Sequence, residues 1–142
     1  MDNFIDTRRD FETGTYRFII TEISKNDYNK KPKLINEVNI ISKEHIQGEF
    51  DGSFAKIDDT YANFYIEKIN NKKDVFIEFR GLWKMENDPA PMGGPVLGYI
   101  LEEPSLKRTF LIAFYIFAPG EDKANHLIEA EAICKSFLSF NS

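Results

Sequence analysis

Two histidines, one cysteine and several adjacent carboxylate pairs are the groups in this chain with the chemistry to catalyse or to ligate. His45 and His126 fall in different segments, and neither belongs to an HExxH or other zinc-ligand spacing. His45 stands near the end of a helix-like run, where it reads as a boundary residue suited to the negative end of the helix dipole. Cys134 is alone, so neither an intrachain disulfide nor a cysteine metal cluster can form within the chain. Its place on an apolar stripe reads as a small buried hydrophobe rather than a reactive thiol. Asp58-Asp59, Glu102-Glu103 and Glu121-Asp122 lie in turns or at a helix start, as solvated or dipole-facing carboxylates ordinarily do. No GxSxG elbow occurs. Gly93-Gly94 is too short a run to cradle phosphate, and Pro95 behind it removes a backbone donor. The expectation is a protein that is not an enzyme and carries no cofactor and no metal.

Binding chemistry is concentrated in residues 80–99, RGLWKMENDPAPMGGPVLGY, which hold the only tryptophan, three prolines and two adjacent glycines. Arg80, Trp83, Lys84, Asn87, Asp88, Met92, Gly93 and Gly94 form the candidate binding surface, centred on a long connection over residues 85–95. The competing reading is that Pro89, Pro91 and Pro95 stiffen a connection and that Trp83 belongs to the core. Alternation bears on the choice. Val75, Ile77, Phe79, Gly81, Trp83 and Met85 share one face of a period-2 run, and Phe76, Glu78, Arg80, Leu82, Lys84 and Glu86 share the other. Trp83 therefore points to the core and Arg80 away from it, unless a bulge intervenes at Gly81.

The elements around this stretch are mostly strands. Residues 3–10 and 15–24 read as the first two, with a glycine-containing link between them. Pro32 is placed for a first helical turn, and Leu34, Val38, Ile41 and His45 follow at helical spacing to a stop at Gly48. A short strand at 53–57 precedes a hairpin of 61–69 with 74–85. Residues 95–101 and 106–117 are the last strands, and FLIAFYIFA at 110–118 is apolar throughout, as in a strand covered on both faces. A second helix is expected over residues 121–140, with Leu127, Ala130, Cys134 and Phe137 in one stripe. The fold class is α+β: one domain over residues 1–142, with a mostly antiparallel sheet of about six strands and two helices.

Composition bounds the partners. Apolar residues are 42%, charged residues 29% and Phe numbers 13, enough for a core without disulfides or metal. A net charge of −5 argues against nucleic acid. No apolar run is long enough to span a bilayer, and the first residues show neither a signal-peptide pattern nor a lipidation cysteine.

The run Arg80–Asp88, then Met92-Gly93-Gly94-Pro95 and Tyr99, resembles the signature of the domain-of-unknown-function 4837 family of Bacteroidetes proteins, predicted envelope lipoproteins. Gly52-Ser53-Phe54 resembles that family's GSY step. Phe117-Ala118-Pro119 with Asp122-Lys123 and Glu131-Ala132-Ile133 is similar to its YAP…DK…EAI ending. The resemblance implies an envelope location, with membrane association through a lipid anchor on a longer protein, of which this chain matches the C-terminal half. The family has an aromatic where this chain has Pro89-Ala90-Pro91, so its loop is reshaped here. The strand ending in Ala118-Pro119 and the closing Lys135-Ser136-Phe137 look like the close of PsbP/Mog1-type α/β/α sandwiches. The resemblance brings no activity with it, and the residues leave two functions as expectations. The first is a non-catalytic, envelope-associated binding or protein-interaction module using the 85–95 connection. The second is a carrier of a small hydrophobic ligand, held between sheet and C-terminal helix by Phe79, Trp83 and Met85.

Overall fold

The computed structural model describes residues 4–6, 15–48, 50–58, 64–70, 75–89, 92–103, 107–117, 127–128 and 131–132. They form strands β1 (Phe4–Asp6), β2 (Thr15–Ile23), β3 (Phe54–Ile57), β4 (Tyr65–Asn70), β5 (Val75–Glu86), β6 (Gly93–Glu103) and β7 (Arg108–Phe117), with helix α1 (Lys31–His45) between β2 and β3. All seven strands join one sheet in the order β1-β2-β7-β6-β5-β3, with β4 also on β5. Each pairing is antiparallel. The short strand expected at 53–57 is a full member over Phe54–Ile57, and among the described residues the sheet holds the expected set of about six strands, with β4 beside β3 on β5. Among the described residues one helix is bounded at both ends, not two. Of the C-terminal stretch expected to be helical, Leu127, Ile128, Glu131 and Ala132 are helical, and Ala130, Cys134 and Phe137 lie outside the described residues.

Of the run expected to be doubly covered, residues 110–116 of β7 are buried, as is Thr109 before them, Phe117 is half-buried and Ala118 lies outside the described residues. Alternation sorts its neighbours into two cores. Trp83, Phe79, Val96, Ile100, Leu111 and Tyr115 meet Leu34 and Val38 of α1 on one face. Phe18, Leu97, Tyr99, Ile112, Phe114 and Ile116 form the other, with Leu127 packed against them. Each fully buried side chain of this size contributes about 1.5–3 kcal/mol.

Pro32 stands in the first turn of α1, and Lys43 and His45 in the last, where basic groups suit the dipole. Leu34 and Val38 are buried as expected, with Ile41 half-buried against the same core. Ser42 rather than His45 completes the buried stripe and shares a buried hydrogen bond with the Tyr115 hydroxyl. The helix does not stop on Gly48. It ends at Ile46, with φ −115°, and the Arg17 guanidinium of β2 donates to the carbonyls of His45 (3.0 Å) and Gln47 (2.9 Å). Gly48 serves close packing instead, since a Cβ there would lie 2.6 Å from Ser53 Oγ. Gly81 forms no bulge. The β5–β6 register runs without a break from Val75↔Glu102 to Lys84↔Gly93.

Candidate functional site

The stretch singled out in the sequence is built as a structural clasp. Gly93, Gly94 and Pro95 belong to β6, so the expected 85–95 connection narrows to residues 87–92. Met85 N–H donates to the Met92 carbonyl (2.8 Å). Strand alternation from that bond turns the backbone of Pro95 toward β7, opposite Ile116 in the continued register of Val96↔Tyr115. Proline has no N–H to give that neighbour. The Trp83 indole Nε1–H supplies the donor, at 2.9 Å from the Ile116 carbonyl. It reaches the carbonyl over Gly94, where a Cβ would lie 2.1 Å from the same oxygen. Trp83 is 2% exposed and sets its edge against Tyr115 and Phe117.

The remaining members of the candidate surface scatter. Met92 is half-buried against the α1-side core. Asn87 takes a left-handed backbone (φ 59°) and donates from its side chain to the Gly52 carbonyl (3.2 Å), and a Cβ on Gly48 would lie 3.1 Å from Asp88 Oδ2. Lys84 and Asn87 are exposed. Arg80 lies on the opposite face from Trp83, as expected. Its guanidinium donates to Glu78 (2.7 Å) and Glu131 (2.9 Å), tying β5 to the C-terminal helical segment. The carrier site expected between sheet and C-terminal helix is not formed as described. Phe79, Trp83 and Met85 face α1, while Leu127 packs on the other face. Phe79 lies across Gly98, where a Cβ would come 2.1 Å from its ring.

An open cleft of about 340 Å³ lies elsewhere, at the end of the sheet where the β2–α1 link crosses the α1-side face. Its lining includes Tyr28, Ile77 and Ile100 from the core, and its polar side chains are Lys25, Asn26, Asp27, Asn29, Lys68 and Glu102. The Tyr28 hydroxyl donates to the Ser24 carbonyl (2.5 Å), which pins the link. Burial, helped by the negative charge of Glu37, pushes this phenol up to about 12. A second, more polar groove of about 460 Å³ shares Lys25 and continues past Lys107 and the Glu22–Arg108 pair. That pair is bidentate, at 2.9 and 3.0 Å, and the Arg108 guanidinium holds the Glu22 carboxyl below the usual range. Sequence reading missed the cleft because its walls come from separate segments. The one local signal is a tyrosine inside the polar run Lys25-Asn26-Asp27-Tyr28-Asn29.

Fold and geometry together define an α+β protein built on one antiparallel sheet with cores on both faces. The chain belongs to the family described as Domain of unknown function (DUF4837), whose model matches residues 1–136. No curated protein and no solved structure matches it, so the PsbP/Mog1 likeness rests on the sequence features alone. Among the described residues, no helix is long and apolar enough to cross a membrane, and no three His, Cys, Asp or Glu side chains gather as a metal site.

Proposed function

We propose that this protein is a non-catalytic binding module of the cell envelope that receives a small ligand in the cleft at the end of its sheet. One observation carries the reading: a cleft of about 340 Å³ whose lining combines buried core residues with polar groups, the size and make-up of small-ligand sites. How two of the reactive groups are held supports the non-catalytic part. The Tyr28 phenol is bonded to a carbonyl and poised far from neutrality, a poor general base. Arg80 and Glu78 are tied to each other on the opposite face. The envelope location draws on the resemblance to predicted lipoproteins, and fractionation of the native protein tests it separately.

The test is a ligand-observed NMR screen of small fragments against the wild type and Asn29→Trp, which puts an indole into the cleft from an exposed position of its lining. Binders lost in the variant, at an unchanged urea midpoint, support the reading. No binders, or equal binding to both proteins, overturns it. Exposed Asn87 and Pro89 support a second reading as a protein contact, because Asn87 fixes the end of β5 against Gly52. Replacing residues 87–92 with Gly-Ser abolishes partner capture under this reading and leaves fragment binding intact under the first.

A further inference from the structure

We infer that the cleft takes small amphipathic anions, with an apolar body on Tyr28, Ile77 and Ile100 and a charged head toward Lys25 and Lys68. This rests on reading the cleft as the binding site and adds the sign and build of the ligand. The chain as a whole carries −5, yet the local balance at this end of the sheet is reversed. Lys25 and Lys68 line the cleft, and Lys107 lines the adjoining groove that shares Lys25. Among the described residues, none of the three ammonium groups makes an ion pair or hydrogen bond. The acids nearby are largely answered. Glu22 is held by Arg108, and Asp27 lies 3.9 Å from the Lys30 ammonium. Glu102 is the one carboxylate in the lining without a cation of its own.

Three unanswered ammonium groups outnumber the two nearby carboxylates without a cation, Glu102 in the lining and Glu37, whose charge reaches Tyr28 from α1, and leave a net positive field over an apolar floor. The link that forms one wall runs into the N-terminus of α1, the positive end of that helix dipole. An apolar ligand with no charge leaves the ammonium groups unused, and a cation meets them as like charges. A carboxylate on an aliphatic or aromatic body satisfies both halves of the site. Charge-assisted hydrogen bonds of this kind are the stronger ones.

The test uses three probes of one chain length, octanoate, octanol and octylammonium, titrated below their micelle-forming concentrations and followed through the Ile77 and Ile100 methyl chemical shifts. Octanoate is expected to bind about tenfold more tightly than octanol, and octylammonium more weakly still. Lys25→Glu and Lys68→Glu are each expected to weaken octanoate about tenfold and to leave octanol unchanged. Their urea midpoints stay at the wild-type value, because neither lysine holds a partner in the fold. Equal binding of octanoate and octanol overturns the charge assignment and leaves the binding reading standing. Preference for octylammonium overturns it in favour of Glu102. If no probe binds, while the fragment screen yields cleft binders of another build, the amphipathic-anion assignment falls alone. If the screen is also empty, the binding reading falls with it.

Discussion

Ile116 carries a carbonyl that the neighbouring strand cannot satisfy, because the residue opposite is Pro95. A buried acceptor left alone costs about 1–3 kcal/mol, and the Trp83 indole removes that cost with a bond of 2.9 Å. Trp83, Gly94 and Pro95 therefore depend on one another. The proline creates the vacancy, the tryptophan fills it, and the glycine leaves room for the ring to reach. Trp83→Phe keeps most of the apolar volume and drops the donor, so urea unfolding should show a loss of about 1–3 kcal/mol. Pro95→Ala restores a backbone N–H opposite Ile116. In the Trp83→Phe background it should therefore recover part of the loss, with a coupling of about 0.5–3 kcal/mol in the double-mutant cycle. Strict additivity of the two substitutions would show that the indole bond does not replace a ladder bond.

At the scale of elements, the free edge of β3 shows how α1 and the sheet are joined. The β3–β5 register turns Ala55 and Ile57 outward, where an unpaired edge invites another chain. Both N–H groups are closed from within the molecule. Ala55 donates to the Ile46 carbonyl and Ile57 to the Asn39 side-chain oxygen, at 2.9 and 2.8 Å. Asn39→Ala should cost about 1 kcal/mol and raise concentration-dependent light scattering, whereas Asn39→Asp, which keeps an acceptor, should stay monodisperse; equal scattering from both would remove the edge-closing role. Much at this scale was legible beforehand, for physical reasons. The alternation of β5 and the unbroken apolar run of β7 are direct imprints of period 2 and of double coverage. Alternation says which residues share a face but not which helix covers it, so Trp83 was paired with the C-terminal helix instead of α1. Pro95 and the two glycines argue locally for a loop, and only the indole bond and the close approach of Ile116 explain them inside a strand. Ser42 is a polar residue on a buried stripe, intelligible once its partner Tyr115, 73 positions away, is known. The cleft was invisible for the same reason, being assembled from the 25–29 link and the ends of β4, β5 and β6.

For the whole molecule, the titrating groups with shifted values set the pH range over which the fold holds. Tyr28 is pushed up to about 12, first by burial and then by Glu37. Tyr115 is raised further by burial, partly offset by its bond to Ser42. An unfolded tyrosine titrates near about 10. Both phenols are thus neutral in the fold at a pH where the unfolded chain begins to lose their protons. Their contribution is whole below pH of about 10 and drains away as pH rises through the folded value, at about 1.4 kcal/mol per pH unit for each phenol. Glu22 works in the opposite direction. Its carboxyl is lowered chiefly by the hydrogen bonds from Arg108, so its contribution is present above about pH 4 and fades as pH falls through the lowered value. Urea midpoints followed against pH should therefore form a plateau with an acid shoulder and a steep alkaline fall. Tyr28→Phe should flatten the alkaline slope while leaving the acid shoulder in place, and Glu22→Gln should reduce the shoulder and keep the slope. Phenolate absorbance gives an independent reading: in the native wild type, Tyr28 and Tyr115 should remain protonated until the unfolding transition and then titrate together with it. If Tyr28→Phe leaves the alkaline slope at its wild-type value, the phenol on the floor of the cleft is not held neutral by its burial, and the packing that makes that floor apolar is not as described.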